Sequence, residues 1–177
     1  MTTIHIREAV STDAGAVLDL YRAVARKPGG IARLESEIDS NYIGRIMQNA
    51  AASGLMLLAT ETTAGNTRVI GSIHAYSPGL FCFSHILSEL TIAVHPDRQG
   101  SGVGRRLFGQ FMENINNGFP HITRVELISR ESNSKAIAFY QSLGFVKEGA
   151  MRARIKNLDG SLESDIPMAW LRPPLAT

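Results

Sequence analysis

A chain of 177 residues, 44% hydrophobic and 19% charged, suits one globular domain with a sizeable core and excludes a wholly disordered chain. Its net charge of +2 is too small to argue for nucleic acid as a partner, and no apolar run approaches the about 18 residues of a membrane span. The single cysteine, Cys82, excludes an internal disulfide; with a start, MTTIHIREAV, that lacks the basic-then-apolar layout of a signal peptide, it predicts a cytoplasmic protein.

Ile4, Ile6 and Ala9 mark a first strand, and Ser11 and Thr12 are good caps for a helix carrying Val17, Leu20, Tyr21 and Val24 on one face. Lys27-Pro28-Gly29-Gly30 stops it. Residues 31–40 carry no decodable pattern. A second helix is expected from about Asn41 to Ala52, closed by Gly54, with Ile43, Ile46 and Met47 sharing a face. Leu55–Thr60 and Val69–Ser77 read as strands joined by a hairpin loop over Thr62–Thr67.

From His85 to Val94 the pattern is again that of a strand, with Leu90, Ile92 and Val94 alternating against Glu89, Thr91 and Ala93. Pro96 ends it. Gly100, Gly102 and Gly104 follow at every second position, and from Val103 the apolar residues Leu107, Phe111 and Ile115 fall at helical spacing. Glycines between a strand and a helix leave backbone N–H groups uncovered, and the helix start adds free N–H groups and the positive end of its dipole. That is a phosphate cradle. It is not a P-loop, because Arg105 and Arg106 stand where Lys and Ser/Thr are needed, and the dinucleotide fingerprint finds Arg105 at its third small position, although Glu126 supplies an acidic residue downstream.

The helix ends at Asn117-Gly118-Phe119-Pro120, and Val125–Ser129 forms the next strand, so strand, helix and strand predict a parallel crossover. A last helix spans about Ser134 to Leu143, closed by Gly144. Phe145–Lys156 and Ser164–Leu171 then close the chain as a hairpin around Asn157-Leu158-Asp159-Gly160. Pro167 inside that final strand is in tension with an interior position.

Two motifs now stand in order. Gln99-x-x-Gly102-x-Gly104, with a strand before and a helix after, resembles the coenzyme A pyrophosphate loop of the GNAT superfamily of N-acetyltransferases. Asn133-x-x-Ala136-x-x-Phe139-Tyr140-x-x-x-Gly144-Phe145 is similar to the second half of that family's signature. The resemblance implies an α/β (α+β) fold over residues 1–172, followed by a short tail at 173–177. It implies a mixed central sheet of about seven strands with a splayed parallel pair, and about four helices.

By the same resemblance, acetyl-CoA lies in the splay as cosubstrate, on Ile92, Val94, Gln99, Gly100, Gly102, Val103, Gly104, Arg105, Asn133 and Tyr140. Its pantetheine arm pairs with the strand ending at Val94. Tyr140 is implied as the general acid for the departing thiolate, and Glu89 as the base that takes the proton of the amine, with Glu126 or solvent as alternatives. The backbone N–H of Val94 is the candidate donor to the thioester carbonyl. Without the resemblance, Tyr140 would be read as a core aromatic.

The function expected is acetyl transfer from acetyl-CoA to a primary amine by direct attack in a ternary complex, with a small-molecule acceptor. The alternatives are an inactive coenzyme A-binding protein of the same fold, an acyl donor other than acetyl, or an enzyme acting on protein N-termini. A homodimer is a further possibility raised by the family. His74, His85, His95 and His121 lack metal-ligand spacing, so no metal is expected. Cys82 between Phe81 and Phe83 reads as a buried, inert thiol. Trp170 reads as core, and Arg152, Arg154 and Lys156 as one basic strand face.

Overall fold

The computed structural model describes residues 3–27 and 31–173. Pro28–Gly30 of the expected helix stop, and residues 174–177 of the expected tail, lie outside it. The elements run β1 (Thr3–Glu8), α1 (Ala14–Ala25), α2 (Ser40–Ser53), β2 (Gly54–Thr63), β3 (Asn66–Tyr76), β4 (Ile86–Val94), α3 (Val103–Gly118), β5 (Arg124–Arg130), α4 (Ser134–Gln141), β6 (Val146–Lys147), β7 (Met151–Lys156) and β8 (Leu162–Leu171). They form one sheet of eight strands in the order β1-β2-β3-β4-β5-β8-β6, with β7 also paired to β8.

Helices cover the sheet on two faces. On one, Val17, Leu20, Tyr21 and Val24 of α1 and Ile43, Ile46 and Ala50 of α2 pack on Met56, Leu58 and Ala93. On the other, Leu107, Phe108, Phe111 and Ile115 of α3 and Ile137 of α4 pack on Leu55, Leu57, Ile73 and Val125. β2 is therefore buried from both sides, which is why it reads as a continuous apolar run with no alternation.

Local chemistry sets the boundaries. Ser11 and Thr12 enter a short 3-10 turn, and Asp13 holds the N-cap position of α1 without a side-chain bond into that helix. Its carboxylate accepts from Val10 N–H at 2.8 Å and from both arms of Arg7 at 2.7 and 2.8 Å. Asp39 caps α2 by accepting from Tyr42 N–H at 2.7 Å. The β2–β3 loop is tighter than expected: the turn is Ala64-Gly65, both left-handed (φ 50° and 82°), as a two-residue hairpin requires. Gly54 joins α2 directly to β2, where an added Cβ would lie 2.0 Å from the Ala75 carbonyl oxygen.

The expected strand Phe145–Lys156 is two strands, and Pro167 explains the break. The Glu148 N–H donates to the Pro167 carbonyl at 2.9 Å, so the polar edge of Pro167 faces β6 and not β5. Proline has no N–H to return, and the ladder ends at Glu148, resuming at Met151 opposite Asp165. A strand interior to the sheet thus tolerates its proline. On β7, Ala153 is left-handed (φ 54°) and the register shifts between Met151 and Ile155, so the alternation expected of Arg152, Arg154 and Lys156 is interrupted.

The Phe81–Phe83 turn also departs from expectation. Phe81 is 96% exposed and Cys82 is exposed with it, because the flanking aromatic residues do not enter the core. Trp170 packs partly buried against the larger core.

Candidate active site

β4 and β5 are parallel and pair only at Ile86–Arg124 and Leu87–Val125; beyond these positions they diverge. At the point of divergence Glu89 takes a left-handed conformation (φ 56°), and β4 slips one residue against β3 between Ser88 and Thr91. This bulge turns the strand out of its ladder and opens the splay.

The register shows what the freed edge of β4 presents. His95 N–H donates to Ile70 O at 2.8 Å, so the neighbouring pair Val94–Gly71 does not exchange bonds with β3. By the alternation of an antiparallel ladder, the N–H groups of Val94 and Ile92 point away from β3, into the splay. The Val94 carbonyl accepts from Gln99 Nε2 at 3.2 Å, which ties the following loop to the strand end.

That loop is pinned from below as well. Arg98 donates to Glu61 at 2.8 and 2.9 Å, and Glu61, 4% exposed, also holds Arg68. The two guanidinium groups, Arg98 first, hold the Glu61 carboxyl below the usual carboxylate range. Gly100 and Gly102 are left-handed (φ 76° and 84°), and a Cβ on either would meet nothing within 4 Å. Arg106 N–H is the first to close a bond onto Gly102 O (3.1 Å), so the N–H groups of Val103, Gly104 and Arg105 precede the first closed turn of α3.

Asn133 caps α4, its Oδ1 accepting from Ala136 N–H at 3.2 Å, which leaves its amide NH₂ for another partner. Tyr140 sits two turns further on, its ring held by Phe108, Phe139 and Phe145 at 5.6 to 6.1 Å between centroids. Burial pushes its hydroxyl up to about pKa 12, and no hydrogen bond engages it among the described residues.

These parts meet in one cleft of about 430 Å³. It is lined by Ile92, Val94, Gln99, Gly100, Gly102, Gly104, Arg105, Asn133 and Tyr140, all expected from the sequence. Val103 differs: its side chain is 1% exposed in the core, so only its backbone can reach the cleft. Sequence reasoning missed Val24, Arg98, Lys135, Ala136 and Phe139 as lining residues. Phe139 carries Arg105 over its ring at 5.5 Å.

A second cavity of about 400 Å³ lies at the base of the splay, lined by Glu89, Leu90, Thr91, Arg124, Glu126, Ile128, Glu148, Met151 and Pro167 among others. A narrower space of about 160 Å³, bounded by Leu90, Thr91, Ile128, Asn133 and Tyr140, shares walls with both. Tyr140 and Glu89 therefore line different ends of one trough. Arg124 is the centre of the far end: it donates Nε to Glu126 at 2.8 Å and both terminal nitrogens to Glu148, one at 2.9 Å. These bonds, chiefly that to Glu148, raise the Arg124 pKa and hold the Glu148 carboxyl below its ordinary range. By contrast, no hydrogen bond or ion pair engages the Glu89 carboxylate among the described residues.

Residues 52–147, more than half of the chain, match the model of the acetyltransferase (GNAT) domain. The L-amino acid N-acyltransferase MnaT of Escherichia coli is 33% identical over 149 residues, 84% of this chain and 83% of that protein. An uncharacterized Mycobacterium leprae protein, ML0378, is 42% identical over 59 residues; the match spans 33% of this chain and only 15% of that protein. Among solved structures, the Salmonella typhimurium protein yncA, with its cofactor acetyl-CoA, superposes with a TM-score of 0.80 (20% identity, covering 99% of this chain and 97% of that one). A Sinorhizobium meliloti phosphinothricin acetyltransferase in complex with AcCoA gives 0.81 (20% identity, 99% and 92%).

Proposed function

The chain belongs to the GNAT acetyltransferase family, and on that premise we propose that it moves an acetyl group from acetyl-CoA to a small-molecule primary amine by direct attack in a ternary complex. The observation that carries this reading is the common lining of one cleft by an uncovered strand edge, a glycine loop at a helix start, Asn133 and Tyr140. The residues fit the cosubstrate. The open space beside left-handed Gly100 and Gly102 admits close approach of a pyrophosphate to the backbone, and the start of α3 supplies positive potential and free N–H groups. Arg105 and Lys135 add positive side chains to the same wall.

In the reaction proposed, the neutral amine nitrogen forms a bond to the thioester carbon, and the carbon–sulfur bond breaks. The N–H groups of Ile92 and Val94, directed into the splay, stabilise charge on the carbonyl oxygen. Tyr140, protonated throughout the physiological range because of its raised pKa, donates to the departing sulfur. Glu89, directly or through water, takes the proton of the ammonium form of the acceptor before attack, and the proton the nitrogen loses as the amide forms restores the Tyr140 hydroxyl. The unengaged Glu89 carboxylate favours this residue over Glu126, which is bound to Arg124. The products are an N-acetyl amine and free coenzyme A.

A small-molecule acceptor is supported by the name of the MnaT relative, an N-acyltransferase of L-amino acids, and by the modest size of the second cavity. Free-thiol release from acetyl-CoA, measured against a panel of amines, amino acids and N-terminal peptides, tests the reading. Turnover confined to peptides would replace it with an N-terminal acetyltransferase.

A further inference from the structure

The charge at the acceptor end of the trough says which kind of amine it takes. This step rests on the function proposed above and concerns the part of the acceptor that does not react. The charged groups facing the cavity are Glu89 from β4, Arg124 and Glu126 from β5, and Glu148 from the break between β6 and β7. One cation therefore stands against three carboxylates. Each nitrogen of that cation is also already engaged, Nε with Glu126 and both terminal nitrogens with Glu148. An acceptor carboxylate entering here would find no free guanidinium fork and would face unneutralised negative charge.

The adjoining narrow space does not supply the missing cation. Arg130 on its wall donates through one terminal nitrogen alone, to Glu163 at 2.7 Å and to Asn157 at 3.1 Å, its Nε is buried without a partner among the described residues, and Asp165 beside it, facing Arg154 at 3.4 Å, adds a negative charge to the same wall. The positive charge of Arg130 is thus matched by its own carboxylate partner. The remaining lining of the larger cavity is mostly apolar, with Leu90, Ile128, Met151 and Pro167 among it and only the hydroxyl residues Ser88 and Thr91 polar. An apolar passage with excess carboxylate at its end fits an alkyl chain that ends in a positive charge.

We propose that the acceptor is a diamine-type compound, with an alkyl spacer and a second cationic group and without a carboxylate, in contrast to the α-amino acids of the MnaT relative's name. Arg124 acts as a specificity-determining residue by filling its donors with Glu126 and Glu148, which leaves the cavity negative and unreceptive to anions.

The test uses three acceptors of one length that differ only in the tail: 1,4-diaminobutane, butylamine and 4-aminobutanoate. kcat/KM for thiol release should fall in that order, with the diamine about tenfold or more above the aminobutanoate, a gap that one favourable charge contact can supply. Glu148→Gln removes one negative charge and frees part of the Arg124 fork, so the ratio should collapse several-fold through KM. A parallel measurement separates binding from chemistry: thermal stabilisation of the coenzyme A-bound protein by each of the three compounds. Stabilisation by the diamine without thiol release would uphold the inference and overturn acetyl transfer. Turnover of the aminobutanoate or of α-amino acids at or above the diamine would overturn the inference and uphold acetyl transfer. Neither stabilisation nor turnover with any of the three would overturn both.

Discussion

Arg124 holds Glu126 through a 2.8 Å bond from its Nε, on the same cavity wall where Glu89 carries no partner among the described residues. Two carboxylates that look alike in the sequence are thereby given different roles. The Glu126 carboxylate is occupied by a guanidinium, and the unengaged Glu89 carboxylate is free to meet the acceptor.

Glu89→Gln is therefore expected to lower kcat/KM more than Glu126→Gln does. The Glu89→Gln defect should shrink as pH rises, because more of the acceptor is then already neutral, and it should be smaller for weakly basic amines. pH–rate profiles of both variants check this. A defect constant across pH and across amines would return Glu89 to a structural role.

Gly102→Val should abolish coenzyme A binding and leave the fold intact. A branched side chain resists φ 84°, and its Cβ would project into the open space where the cofactor is expected to lie. Calorimetric titration with acetyl-CoA, beside a melting curve, measures both quantities. Unchanged affinity in a folded variant would move the phosphate site elsewhere.

Gly54→Ala is a test of the fold and not of the site. Its Cβ would fall 2.0 Å from a backbone oxygen of β3, so the α2–β2 junction must shift, at a cost of about 3 kcal/mol. Urea unfolding measures this cost, and a loss below about 1 kcal/mol would show that the junction gives way readily.

His74 gives the protein an acid-sensitive element. It is 2% exposed, its Nδ1 lies 3.0 Å from the Tyr21 hydroxyl, and burial lowers its pKa from the ordinary 6.5 to about 4. Between these values the unfolded chain binds the proton and the folded one does not. Stability from this group is therefore complete above about pH 6.5 and is lost as pH falls toward about 4, by up to about 3 kcal/mol in total. Unfolding free energies at pH 4, 5 and 6.5 should show the slope in the wild type and a shallower one in His74→Gln. Equal slopes would assign the acid sensitivity to other groups.

Much of this site could be read in the sequence because its parts are local. A strand, a glycine-spaced loop and a capped helix each sit in a few consecutive residues, and their periodicities state which atoms face the cleft. What was illegible depends on partners distant along the chain. The Glu89 bulge breaks an alternation that the residues themselves display without interruption from Glu89 to Val94. Arg124 and Glu148 meet only because Pro167 ends a ladder at Glu148, and no pattern within either segment announces that. The exposure of Cys82 was illegible for a related reason: a flanking aromatic does not say which way a side chain turns.

The most direct test of acetyl transfer at this cleft is amine-dependent thiol release from acetyl-CoA by the wild type and by Tyr140→Phe, alongside acetyl-CoA affinity for both. The substitution deletes one hydroxyl and keeps the ring among Phe108, Phe139 and Phe145. The account predicts turnover by the wild type, a fall in kcat on the order of 10²-fold in the variant, and nearly unchanged affinity. Tight acetyl-CoA binding with no amine-dependent release by the wild type, or a fully active Tyr140→Phe, would contradict it.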